Sequence, residues 1–240
     1  MPSESAVKYL TSPLIRTKHA FFLRHGGVSP APFGSLNFGG HDDDPENIRI
    51  NRERALLAAG MNPQNVARMN QVHGNDVLLA KVGSQTCDAL VTNERGLVIA
   101  IGAADCYPIL YHDPVNHVIG GAHAGWKGTL GRIAQRVIPE MLKLGADLKE
   151  IRVAIGPGIC RNNYEVSEEV IDQFMKNRFP EYIHTGRHLD LLAANRHVLI
   201  SAGIHENNIW AMNRCTTEND FFSYRRDKGK TGRMWACISL

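Results

Sequence analysis

The chain has 240 residues, 43% hydrophobic and 21% charged, with a formal net charge of +3. That length supports a full core, and so small a charge without a long basic run argues against a nucleic-acid partner. No apolar run approaches the roughly 18 residues of a spanning helix, and the N-terminus lacks the basic stretch and long apolar run of a signal peptide, so no membrane partner is expected.

In chain order, AFFLR (residues 20–24) reads as a strand running into HGGVSPAPFGSLNFGG, a loop too rich in Gly, Ser and Pro to fill a core. Arg24 and Asn37 stand out beside its glycines, either as ligand contacts or as a surface charge and a turn residue. Asp44 as N-cap, Pro45 at the first helical position and Gly60 as terminator then frame a helix. The neighbouring acids Asp42 and Asp43 lack the spacing of a calcium loop. VARMNQVHGNDVLLAK predicts two strands around a turn at Gly74-Asn75, and CDALVT and LVIAIG predict two more. After HVIGGA, Gly125, Gly128 and Gly131 punctuate the entry to one amphipathic helix carrying Leu130, Ile133, Val137 and Met141, with its kink or break at Pro139. IRVAIG is a further strand. Ser167 and Asp190 open two helices, and IWAMN and RMWACISL close the chain as strands. Short turns between neighbouring strands require antiparallel pairing, so the fold class is α+β, in a single domain over residues 1–240 with residues 1–19 as an N-terminal extension.

The chemistry concentrates at three strand ends. His73 lies in NQVHGNDV, Cys106 follows LVIAIGAAD and His123 follows HVIGGA, 33 and 17 residues apart. These are the donors that zinc or copper prefers, and three protein ligands with one open position is the pattern of a catalytic zinc site. Small residues flank each of them and leave room for a ligand. Two other readings stay open: Cys106 as a nucleophile with His123 as its base, or Cys106 as a small buried apolar residue. The glycine-punctuated GWKGTLG can present backbone N–H groups and Lys127 to an anion, although helices often begin with glycine. Tyr224-Arg225-Arg226 and Lys228 form either a second cationic element or a solvated basic loop. Cys87, Cys106, Cys160, Cys215 and Cys237 are scattered and odd in number, which suits a reducing cytoplasm better than a disulfide framework.

RHGGVS with SLN, NQVHG, DALVT, ADCYPIL, HAGWKG, IGPGIC…YEV and FFSYRR…TGR resemble, in order, the motifs of the YfiH-like family, also called the multicopper polyphenol oxidoreductase or laccase-domain family. The resemblance spans residues 21–240, with mild departures at Tyr107 and Lys127. It implies a four-layer α/β/β/α sandwich with mixed, largely antiparallel sheets. It implies metal ligation by His73, Cys106 and His123, and an active-site Arg and Asn at Arg24 and Asn37. It also implies a zinc-dependent purine nucleoside phosphorylase, with adenosine deamination and methylthioadenosine phosphorolysis as side activities. One branch of the family is a peptidoglycan editing factor that removes L-Ser from a murein precursor.

The residues discriminate among these chemistries. A multicopper oxidase needs paired H-x-H motifs, and the chain has none. Phosphorolysis needs cationic anchors for phosphate, for which Arg24, Lys127 and the metal are candidates. The expectation is a cytoplasmic enzyme, monomeric or a small homo-oligomer, acting on a purine nucleoside and phosphate with zinc or, alternatively, copper.

Overall fold

The computed structural model describes residues 6–40 and 42–240, so the first five residues of the expected extension lie outside the described residues. In chain order the strands are β1 (Tyr9–Leu10), β2 (Lys18–Phe22), β3 (Val66–Asn70), β4 (Val77–Leu79), β5 (Gly83–Thr86), β6 (Ala89–Thr92), β7 (Val98–Ala103), β8 (Tyr107–Asp113), β9 (Val118–Ala124), β10 (Arg152–Ile155), β11 (His184–Thr185), β12 (His188–Leu189), β13 (Ile209–Ala211) and β14 (Met234–Ser239). The α-helices are α1 (Pro45–Ala58), α2 (Trp126–Leu130), α3 (Ile133–Lys143), α4 (Glu168–Lys176) and α5 (Leu191–Ser201). The central strands are apolar on both faces because two six-stranded sheets stack and each carries helices on its outer side.

The first sheet runs β1-β2-β14-β7-β3-β5 and the second β13-β10-β8-β9-β6-β4. Alternation along the strands assigns the layers. Ile99 and Ile101 of β7 meet Leu110, Ile119 and Ile238 between the sheets. Val98 and Ala100 of the same strand face Ala55 and Leu56 of α1 on the outside. On the far side, Val137 and Met141 of α3 and Val198 and Leu199 of α5 cover Ile109, Tyr111 and Ala122. The result is the expected α/β/β/α sandwich. Asp44 caps α1 by accepting the Glu46 N–H at 2.8 Å, and Gly60 beyond the helix has a φ of 67°.

The layers approach closely at Gly120-Gly121. A Cβ on Gly121 would lie 2.9 Å from both Ile99 Cγ2 and Ile101 Cδ1, and one on Gly120 would lie 3.0 Å from Val137 Cγ1. Glycine here lets β9 sit flush between the other sheet and α3.

Four sequence expectations are corrected. The strands on either side of Gly74-Asn75 do not form a hairpin: β3 belongs to the first sheet and β4 to the second. A short turn can step between stacked sheets as readily as it can reverse within one. For this reason the parallel pairs β3-β5, β3-β7, β10-β13 and β4-β6 occur beside the antiparallel centre. The polar strand β5 (GSQT) carries no apolar alternation and was not anticipated. The helix after His123 breaks at Gly131-Arg132, where Arg132 has a φ of 60°, and Pro139 lies inside α3 without ending it. Finally, Cys160 and Cys215 form a disulfide, brought together by the bridge between Gly158 and Cys215, with Cα atoms 5.1 Å apart. The two positions are 55 residues apart, and only the pairing of their loops makes them neighbours.

Gly121→Ala tests the close approach: overpacking the buried Ile99–Ile101 contact should destabilise the fold by about 1–3 kcal/mol, read as a lowered urea midpoint with unchanged slope.

Candidate metal centre and its cleft

His73, Cys106 and His123 come from three different chain segments, yet one donor atom from each lies within 4.8 Å of the others. His73 is exposed, Cys106 half-buried and His123 buried. The two imidazole rings stand edge to face with centroids 4.8 Å apart.

Each ligand is set by a local device. His123 is the penultimate residue of the buried strand β9, and its Nδ1 lies 2.9 Å from Asp88 Oδ1. Donation of the Nδ1 proton to this fully buried carboxylate leaves Nε2 free for a metal. The same carboxylate accepts the backbone N–H groups of Val72 (3.2 Å), His73 (3.1 Å) and Gly74 (2.7 Å). One side chain thus fixes both the buried ligand and the turn that carries the exposed one. His73 itself has a φ of 58°, a left-handed conformation unusual for a non-glycine residue, held by this triple anchor. Asp105, immediately before Cys106, has a φ of 88°. Its side chain accepts the Thr216 hydroxyl and the Arg225 N–H, each at 2.6 Å, and its carbonyl accepts Ile159 N–H at 2.8 Å.

The donor set fits a metal both sterically and electrostatically. A Cβ at Gly125 would come within 2.9 Å of both Cys106 Sγ and His73 Nδ1, so the absent side chain leaves the ligands room to converge. Electrostatics agree. Burial works against a charged thiol, but the charge of His123 and hydrogen bonds from His123 and His73 outweigh it and bring Cys106 down to about 6. Burial also opposes a cationic His123, yet the Cys106 charge and the Asp88 hydrogen bond raise it to about 9. Without metal the pair is a thiolate beside an imidazolium, and metal uptake releases the imidazolium proton. A thiolate and two imidazoles fit a soft or borderline divalent metal.

The cluster lies in a cleft of about 690 Å³. Aromatic walls come from Trp126, Tyr164 and Tyr224, and cationic ones from Arg225 and Arg233. Arg225 lies over the Tyr164 ring at 5.1 Å, and Arg233 over Tyr224 at 5.7 Å. Burial, and then the Cys106 charge, raise the Tyr164 phenol above its ordinary value and keep it protonated.

Arg24, Asn37 and Lys127 are not among the residues lining this cleft. Arg24 donates from Nε to the Gly34 carbonyl at 2.9 Å and lies over Phe222 at 4.6 Å, bracing the glycine-rich loop. Asn37 is fully buried; it donates to Asp43 at 2.7 Å and accepts the Arg233 N–H at 2.8 Å, so it holds a cleft residue in place from behind. Lys127 is exposed, with Nζ 5.6 Å from the centre of the neighbouring Trp126 ring. Sequence reasoning missed Asp88, Tyr164 and Arg233. All three lie in quoted motifs (DALVT, YEV and TGR), and the acid heading the otherwise apolar DALVT run was the signal carried by residue type alone.

Asp88→Asn keeps the shape but removes the charge that orients His123, and should weaken metal affinity about 10–100-fold in a chelator competition, with the circular dichroism spectrum retained. In metal-free protein, iodoacetamide should label Cys106 at a rate that rises with pH through about 6, since the thiolate forms above that value and is protonated below it. Cys87 and Cys237 are buried with raised pKa values and should stay unlabelled. A labelling midpoint near the ordinary thiol value of about 8.5 would remove the ion pair.

Comparison with known proteins places the chain among related sequences and folds. The family described as multi-copper polyphenol oxidoreductase laccase matches residues 18–240. A protein of Deinococcus radiodurans named purine nucleoside phosphorylase is 49% identical over 235 residues, covering 96% of this chain and 92% of that one. A protein of an unknown prokaryotic organism named adenosine deaminase RL5 is 41% identical over 160 residues, 63% of this chain and 61% of that one. The crystal structure of YlmD from Geobacillus stearothermophilus superposes with a TM-score of 0.89 at 32% identity, covering 100% of this chain and 97% of that one. The chain therefore belongs to the laccase-like YfiH family.

Proposed function

We propose that this protein is a zinc-dependent purine nucleoside phosphorylase, converting adenosine, inosine or guanosine and phosphate to the free base and ribose 1-phosphate. The observation that carries this reading is a three-ligand metal cluster in a cleft whose remaining walls are aromatic and cationic. Aromatic faces suit a purine, and guanidinium groups suit phosphate. The names of relatives that match nearly the whole chain point the same way.

In this reading His73, Cys106 and His123 hold the ion, which when bound supplies Lewis-acid charge at one end of the cleft. The chain's own residues do the rest. Trp126 and Tyr164 flank the base, and the protonated Tyr164 phenol donates a hydrogen bond to the substrate. Arg225 and Arg233 neutralise the phosphate as one of its oxygens forms the new bond to ribose C1′ and the bond from C1′ to the purine nitrogen breaks. Arg24 and Asn37 support that arrangement from the loop behind it, with Asn37 setting Arg233, and Lys127 adds positive charge at the rim.

A second reading, adenosine deamination at the same cluster, is favoured by the similarity to the protein named adenosine deaminase RL5. A copper oxidase is disfavoured by the ligand set: the single three-ligand cluster among the described residues cannot hold several copper ions.

The deciding experiment incubates metal-defined protein with adenosine or inosine, with and without phosphate, and identifies products by mass. Base and ribose 1-phosphate should appear only with phosphate. Inosine from adenosine in phosphate-free buffer would report deamination. No base from any nucleoside at saturating phosphate and zinc, with cleavage of an L-Ser-bearing muramoyl precursor by the same preparation, would replace the reading with the peptidoglycan-editing one.

A further inference from the structure

We propose that a phosphate-class anion binds in a trough on the outer face of the first sheet, held by Arg52, Arg68 and Arg233. The trough encloses about 280 Å³ and shares Met69, Gln71, Gly102 and Arg233 with the metal cleft, so the two cavities adjoin. Its lining contains three arginines and the Ser84 hydroxyl but no carboxylate.

Some arginines of the chain are matched to acids, as in Arg161–Asp190 (2.8 Å), Arg196–Glu206 (3.0 Å) and Arg214–Asp220 (2.9 Å). The trough arginines are held by other means. Arg52 rises from α1, donates Nε and Nη2 to the Phe38 carbonyl at 3.0 and 2.7 Å, and lies over the Trp235 ring at 5.1 Å. Arg233 donates Nη1 to the Thr231 and Gly232 carbonyls, both at 3.0 Å. Arg68 lies half-buried on β3, and its side chain takes no hydrogen bond or ion pair among the described residues.

Burial and then the like charge of Arg68 pull Arg52 down to about 10. Two neighbouring cations with no anion between them are held at a cost that an incoming anion would relieve. A tetrahedral oxyanion has enough acceptor oxygens to engage several guanidinium forks at once, and each such charge-assisted pair is stronger than a neutral one. The trough has room and donors for a phosphate group. Its occupant is either free inorganic phosphate or the phosphate of a phosphorylated nucleoside whose base lies in the metal cleft. The inference rests on the phosphorylase reading only for its connection to turnover; binding itself is independent of it.

The test is calorimetric titration of the metal-loaded full chain with inorganic phosphate and, separately, with adenosine 5′-monophosphate. Arg68→Ala should weaken one or both by about tenfold or more with metal content and circular dichroism unchanged, and Arg68→Lys should recover part of the loss. Loss confined to inorganic phosphate, with a raised KM for phosphate alone, assigns the trough to the co-substrate. Loss confined to the monophosphate assigns it to a substrate's own phosphate. Arg68-dependent phosphate binding without any base release would keep the trough and remove the phosphorylase reading. Equal affinities in wild type and Arg68→Ala, or no saturable binding of either anion, would overturn the inference even if nucleosides are cleaved.

Discussion

The site depends on one buried carboxylate. Asp88 immediately precedes β6 of the second sheet, accepts a hydrogen bond from the His123 ring N–H, and binds the N–H groups of residues 72–74 on the turn leaving β3 of the first sheet. Desolvating a carboxylate is costly, and four directed donors offset that cost only while both sheets keep their relative position. Burial alone would raise the Asp88 pKa, but the His123 and Gly74 hydrogen bonds outweigh it and hold it below its ordinary value. The carboxylate therefore acts as the rivet that joins two stacked sheets at one candidate metal site.

Strain and small residues finish what Asp88 begins. His73 and Asp105 both occupy left-handed backbone conformations, each worth roughly 1–2 kcal/mol against an L-residue, and both are tied by several hydrogen bonds. The strain aims His73 and Cys106 at the same point as His123. Gly125 then leaves unfilled the volume that those ligands need. The rigid layers supply position, and the loops supply direction.

Polar groups behind the cleft follow the same logic. Asn37, Asp43 and Asn51 are buried, and Asn51 donates to the carbonyls of Ser35 and Asn37 at 3.1 and 2.9 Å while accepting Val28 N–H at 2.8 Å. A glycine-rich loop has little apolar surface with which to hold itself, so this network pins it to α1. Through Asn37 the network reaches the Arg233 backbone, and so joins the loop to both the metal cleft and the arginine trough.

Local rules made part of this legible in the sequence. The Asp44-Pro45 start of α1 and the apolar runs of β7, β9, β10 and β14 follow from capping and burial, which are properties of neighbouring residues. The three metal donors stood out because His and Cys sat beside small residues at strand ends. Their convergence did not follow from spacing, since 33 and 17 residues match no local geometry. The disulfide, the parallel pairings and the break at Gly131-Arg132 depend on which segments meet after the sheets stack. So do the roles of Asp88, Arg68 and Arg233, whose partners lie in distant segments or are missing altogether. The sequence by itself determined most of the elements and the candidate ligand types, because those depend on short-range patterning. Only the tertiary structure decided which side chains share a site, because that depends on how two sheets register against each other.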